Sequence, residues 1–126
     1  MPNRDLVNLI KAKTTLPPAT YNSGVNGNAI QIGKFNSAAI VVSVGTITDG
    51  THTLTLQEAD ASGGPWNNVA AGEILGSLAA LASDVDQEVG YMGAKDFLRV
   101  NTAASGTTGG AYGVSVVKGN PRTAPA

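Results

Sequence analysis

The chain has 126 residues, a formal net charge of -1 and 13% charged residues. That is one domain of ordinary size, with too neutral a surface for the counterion release that drives nucleic-acid binding as a main task. It has no cysteine, which excludes disulfide frameworks and thiolate metal sites and fits assembly in a reducing cytoplasm.

Residues 1–13 carry Arg4 and Asp5 and lack an apolar h-region, so no signal peptide is expected. No apolar run approaches the roughly 20 residues that span a bilayer. Residues 5–13 have the pattern of a turn or two of helix, and Pro17-Pro18 forces an extended exit from it. Residues 1–20 are therefore expected to form an extended arm containing this short helix.

From there the hydrophobic period is mostly two, the signature of strands. In 29–34 it places Ile30 and Ile32 on one face, and 38–44 (AAIVVSV) is apolar on both faces, as a central strand would be. In 51–58 His52, Leu54 and Leu56 point one way and Thr51, Thr53 and Thr55 the other. In 84–91, Asp84, Asp86 and Glu88 alternate with Val85, Val89 and Tyr91, and 97–102 and 111–118 complete the set. Turn signals at 48–50, 62–65 and 106–110 separate the runs.

The prediction is an all-β fold, an antiparallel β-sandwich or jelly-roll-like barrel of about six to eight short strands over residues 21–118. Residues 70–82 (AAGEILGSLAALA) break the pattern, with Ile74, Leu75, Leu78, Leu81 and Ala82 at helical spacing. Gly72 and Gly76 weaken such a helix by about 1 kcal/mol each, so a short helix or an ordered loop between sheets is expected there. Residues 119–126, with Pro121 and Pro125, read as an extended tail. Sixteen glycines and 5% aromatics leave the core to Val, Ile, Leu and Ala, a thin filling that favours a subunit of something larger.

Chemistry is sparse. The single histidine, His52, lies on an apolar strand face, where a hydrogen-bonded core ring is the plain reading, and no G-x-S-x-G elbow supports a hydrolase triad. Asp84, Asp86 and Glu88 on one strand face would stand about 7 Å apart and present oxygens to a calcium ion, or simply keep that face solvated. The glycines of 106–110 lack the Lys-Ser/Thr of a phosphate cradle. Trp66 reads as a hydrophobic plug at a sandwich end, and Arg99, mid-strand beside Phe97 on the same face, as a residue that stacks or pairs with Glu88 or Asp86 on a neighbouring strand. No catalytic residue, metal ligand or cofactor is expected, and the chain is read as a non-enzyme.

Three linked motifs carry a resemblance. With the valine before it, the stretch 45–66 reads VGTITDGTHTLTLQEADASGGPW, containing L-x-E-x-D and ending in a turn to Trp66. It is followed by Val89-Gly90-Tyr91-Met92-Gly93 with Phe97-Leu98-Arg99-Val100, and then by Val117-Lys118-Gly119-Asn120-Pro121-Arg122 with Ala124-Pro125. In order and spacing these resemble small structural proteins of tailed-bacteriophage virions over roughly residues 38–126. One departure is Lys95-Asp96-Phe97, where that pattern carries a basic residue and a tyrosine before the arginine.

The resemblance implies a virion protein encoded near the major capsid protein, made in the host cytoplasm and placed on the capsid exterior as a decoration or cement subunit. The implied partners are the major capsid protein and copies of the chain itself in a small symmetric oligomer such as a trimer, with neither nucleic acid nor membrane. Pre-stiffened proline segments make natural clasps, so Pro17, Pro18, Asn120, Pro121, Arg122 and Pro125 are the contact candidates, and removing residues 120–126 is expected to lower capsid occupancy. A head–tail connector or tail component is the alternative within the structural class. A carbohydrate-binding module using Trp66, Tyr21 or Tyr91 as an exposed platform is the alternative outside it.

Overall fold

The computed structural model describes residues 10–33 and 35–121. Ten strands follow in chain order: β1 (Ile10–Tyr21), β2 (Val25–Asn26), β3 (Ile30–Gln31), β4 (Phe35–Ile47), β5 (His52–Ala59), β6 (Asn67–Asn68), β7 (Ile74–Leu75), β8 (Gln87–Tyr91), β9 (Phe97–Ala104) and β10 (Gly110–Pro121). One sheet has the order β1-β10-β4-β8-β7, and the other β2-β9-β5-β6 with β3 also on β9; every pairing is antiparallel. The sheets stay open at their edges, so the fold is a two-sheet sandwich and not a closed barrel.

Alternation explains the layers. Ile40, Val42 and Val44 of β4, Val114 and Val116 of β10, and Val89 of β8 point inward from the first sheet. They meet Leu54 and Leu56 of β5 and Leu98 and Val100 of β9. Burying each such side chain contributes about 1.5–3 kcal/mol. As its doubly apolar sequence predicts, β4 lies in the middle of its sheet, between β10 and β8. Its second apolar face, with Ala39 and Val41, stays only half covered, because no third layer packs on it.

Three local expectations are corrected. Residues 10–13 are strand, not helix, and residues 10–20 run along β10 in an antiparallel ladder, broken by register shifts at Thr15 and at Pro17-Pro18, instead of standing off as an arm. Residues 5–9 of the expected helix lie outside the described residues.

In 70–82 the only helical piece is a 3₁₀ turn at Ala71–Glu73, which passes directly into β7. Gly76 has φ +92, a left-handed conformation incompatible with continuing a helix. Leu81 reaches the core from irregular chain, its amide donating to the His52 carbonyl at 2.9 Å.

The strand expected over 84–91 begins only at Gln87. Asp84 occupies a turn with φ 58, and the Asp86 carboxylate accepts the Val44 amide at 2.9 Å.

Candidate functional site

The strands cross between the sheets twice at one end of the sandwich, through residues 48–51 and 105–109, and polar side chains meet there. The Asp49 carboxylate accepts the amides of Thr107 (3.1 Å), Thr108 (3.2 Å) and Gly109 (2.7 Å), tying one crossover to the other. The Gly109 amide first, then that of Thr108, hold this carboxyl below the usual carboxylate range. Gly109 has φ +89, and a side chain there would collide with the Tyr21 carbonyl. Glycine is required.

Beneath this clamp His52 is 1% exposed. Its Nε2 lies 2.9 Å from the Asp49 carbonyl and its Nδ1 3.0 Å from the Tyr112 hydroxyl. A carbonyl can only accept, so Nε2 carries the proton and, in the neutral ring, Nδ1 accepts from Tyr112. The Thr102 hydroxyl, 2.5 Å away, then donates to the Tyr112 oxygen. Both ring nitrogens are thus occupied by the protein itself, the arrangement of a structural core histidine.

A second polar knot joins the sheets through Tyr91. Its hydroxyl donates to Glu58 Oε1 at 2.6 Å and accepts the Lys95 amide at 3.1 Å. Burial, then the bond to Glu58, pushes this phenol well above its ordinary pKa. At the opposite end of β10 from the clamp, Lys118 is 8% exposed, donates to the Gln31 carbonyl at 3.0 Å and stands 5.0 Å from the centre of the Phe35 ring. Burial, then Lys13 and Lys11 nearby, lower its pKa.

The two outward sheet faces differ. On the β1-β10-β4-β8-β7 sheet the outer positions are mostly small or apolar, with Ala39, Val41, Ser43, Ser115 and Val117 in register and Leu75 58% exposed beyond them, and Glu88 of β8 is exposed beside Val41. A shallow cleft of about 480 Å³ opens there between Pro18–Thr20 and Ser43–Gly45. On the other sheet the outer face is made mostly of hydrogen-bonding side chains, with Phe97 and Ala103 beside them. Arg99 lies 4.4 Å over the Trp66 ring and donates from Nε to Gln57 Oε1 at 2.8 Å. The same oxygen accepts Asn101 Nδ2 at 2.6 Å, while Gln57 Nε2 donates to Asn68 Oδ1 at 3.0 Å.

The sequence-based candidates are spread out. Pro17 and Pro18 are exposed on the edge strand β1, within the register shift between Leu16 and Ala19, and Pro18 packs against Gly113. Asn120 and Pro121 belong to the last turn of the β10 ladder, with Pro121 in register with Phe35, so the strand takes up the first part of the expected tail. From Gly113 to Asn120 is roughly 23 Å along a strand, so the two proline regions are not brought together. Arg122 and Pro125 lie outside the described residues.

Asp84, Asp86 and Glu88 do not share a face, and among the described residues no three acidic or histidine side chains gather as a metal site would need. Arg99 is in the other sheet from Glu88 and pairs with neither it nor Asp86. Trp66 caps no sandwich end; it is half buried under Arg99 on an outer face. Tyr21 and Tyr91, each 8% exposed, are core residues and offer no sugar platform. The Arg99–Trp66–Gln57 cluster was not legible beforehand, although the outward parity of Gln57, Arg99 and Asn101 was its available signal.

No protein-family profile matches the chain, and no curated protein matches it. Among solved structures, the chain is similar to the SPBc2 prophage-derived protein YomS, with 16% identity, a TM-score of 0.58, and coverage of 86% of this chain and 91% of that one. It is also similar to a chain in the structure of infectious bursal disease virus, Gx strain, with 13% identity and a TM-score of 0.51 over 90% of this chain but only 33% of the viral one. At these identities the likeness is one of fold, and the fold it supports is the two-sheet sandwich.

Proposed function

We propose that this chain is a non-enzymatic structural protein of a tailed-phage virion that binds the outer surface of the capsid lattice as a decoration or cement subunit and stabilises it. The observation that carries the reading is how the polar groups are used. His52, Asp49, Tyr112, Tyr91 and Glu58 are spent on locking one sheet to the other, and what faces outward is two broad sheet surfaces. A rigid brick of this kind acts through the area it covers. The three linked sequence motifs point the same way, and the sandwich shared with a prophage-derived protein is compatible with it.

Stable protein contacts bury about 1,200–2,000 Å² in total, within reach of one sheet face plus its margins. Engaging several capsid subunits at once, as a small symmetric oligomer resting on lattice junctions, multiplies a modest single-site affinity through effective concentration. The test is an electron-microscopy comparison of virions from the phage that encodes this chain, with and without its gene. Extra density repeated over the capsid exterior, and lower heat resistance of the deleted particle, are expected. Density confined to the head–tail vertex or the tail would overturn the reading in favour of a connector or tail role, as would closed rings of the isolated protein.

A further inference from the structure

Among the described residues the only ion pair is Lys95 with Asp60, and none of their carboxylates pairs with the Arg99 guanidinium. It is nevertheless held tightly. Gln57 fixes its Nε, the Trp66 ring supports its plane, and Gln57 is itself pinned from both sides by Asn101 and Asn68. Four side chains orient one cation whose terminal nitrogens remain as donors. We infer that the outer face of the β2-β9-β5-β6 sheet, centred on Arg99, is the docking surface, and that it receives a carboxylate side chain of the partner protein.

Charge complementarity selects that occupant. The residues that share this face with Arg99 are neutral, the hydrogen-bonders Thr53, Thr55, Gln57, Asn68 and Asn101 together with Phe97 and Ala103, so among the described strand residues Arg99 is its one charge. A planar guanidinium with free terminal N–H groups matches a carboxylate bidentately, and a lysine would not. Because the stack on Trp66 already fixes the side chain, binding costs little rotamer entropy. Arginine and tryptophan are also the residue types that dominate binding energy at protein interfaces. A sheet face without a deep cleft suits a protein surface better than a small molecule.

The inference rests on the proposed capsid role and names its contact. The experiment adds the full chain and its Arg99→Ala, Arg99→Gln and Arg99→Lys variants to capsid shells of the parent phage that lack this protein, and measures co-sedimentation across salt concentrations. Arg99→Ala should weaken binding by about 30-fold, Arg99→Lys by about tenfold, and the salt dependence of the wild type should flatten in Arg99→Ala. Thermal unfolding followed alongside identifies any variant that fails to fold, in which case Arg99→Lys decides.

If the variants bind shells as the wild type does, or lose only thermal stability, Arg99 is structural and the docking surface lies elsewhere. A wild type that does not bind shells at all overturns the capsid role itself. Quenching of Trp66 fluorescence by host cell-wall glycans, without shell binding, would reassign the face to sugar.

Discussion

Asp49 joins the two crossovers at one end of the sandwich by accepting three amides, and its carboxyl is held below the usual range for that reason. Because its folded pKa lies below the unfolded one, the stabilisation is complete above about pH 4 and is lost as pH falls below that value. Asp49→Asn should therefore lower stability at neutral pH and flatten its fall in acid, measured by urea unfolding at several pH values. His52→Phe should cost about 1–3 kcal/mol in the same assay, because the part-buried Asp49 carbonyl and the buried Tyr112 hydroxyl each lose a partner. Binding to shells should not change, since the ring faces inward. Parity with Leu54 and Leu56 made the inward direction of His52 legible in the sequence. Tyr112 and Asp49 as its partners were not, since they come from a different sheet and a crossover, which only the folded topology brings together.

At the scale of elements, strands with a buried and an exposed face were legible because their period is two. The failures fall where tertiary pairing overrode local pattern. Residues 10–20 look like an arm because Lys11, Lys13, Pro17 and Pro18 are exposed on an edge strand, and an edge needs little apolar alternation. Leu16, fully buried, and Thr15, whose hydroxyl donates to the Asn28 carbonyl at 2.7 Å, were the anchors. In 70–82 the leucines have helical spacing, but Gly76 and the pairing of β7 with β8 decide otherwise.

Two truncations separate a strand from a tail. Deleting residues 1–21 should strip the β10 edge, expose the cavity left by Leu16 and give an aggregating product, visible as lost soluble yield. Deleting 122–126 spares β10 and should leave thermal unfolding unchanged while testing the expected clasp through capsid occupancy. The deletion must begin after Pro121, because residues 120 and 121 belong to the β10 ladder.

For the whole molecule, a sandwich offers a partner two opposed faces, and only one can lie against a shell at a time. The face with Arg99 carries a cation held by oriented polar groups, whereas the face with Ala39, Val41 and Val117 offers mainly shape and apolar area, its charge being the exposed Glu88 carboxylate beside Val41. If the first meets the capsid, the second points to solvent or to a neighbouring copy of the chain. The absence of cysteine makes this directly measurable, since a single introduced thiol is the only site a maleimide reagent can label. Thr53 and Ser43 are exposed on the outer faces of β5 and β4 respectively. A polyethylene glycol chain attached through Thr53→Cys should block co-sedimentation with capsid shells, while the same chain attached through Ser43→Cys should leave it intact. The opposite result would turn the molecule over, placing the small-residue sheet against the shell and leaving Arg99 to an outward contact.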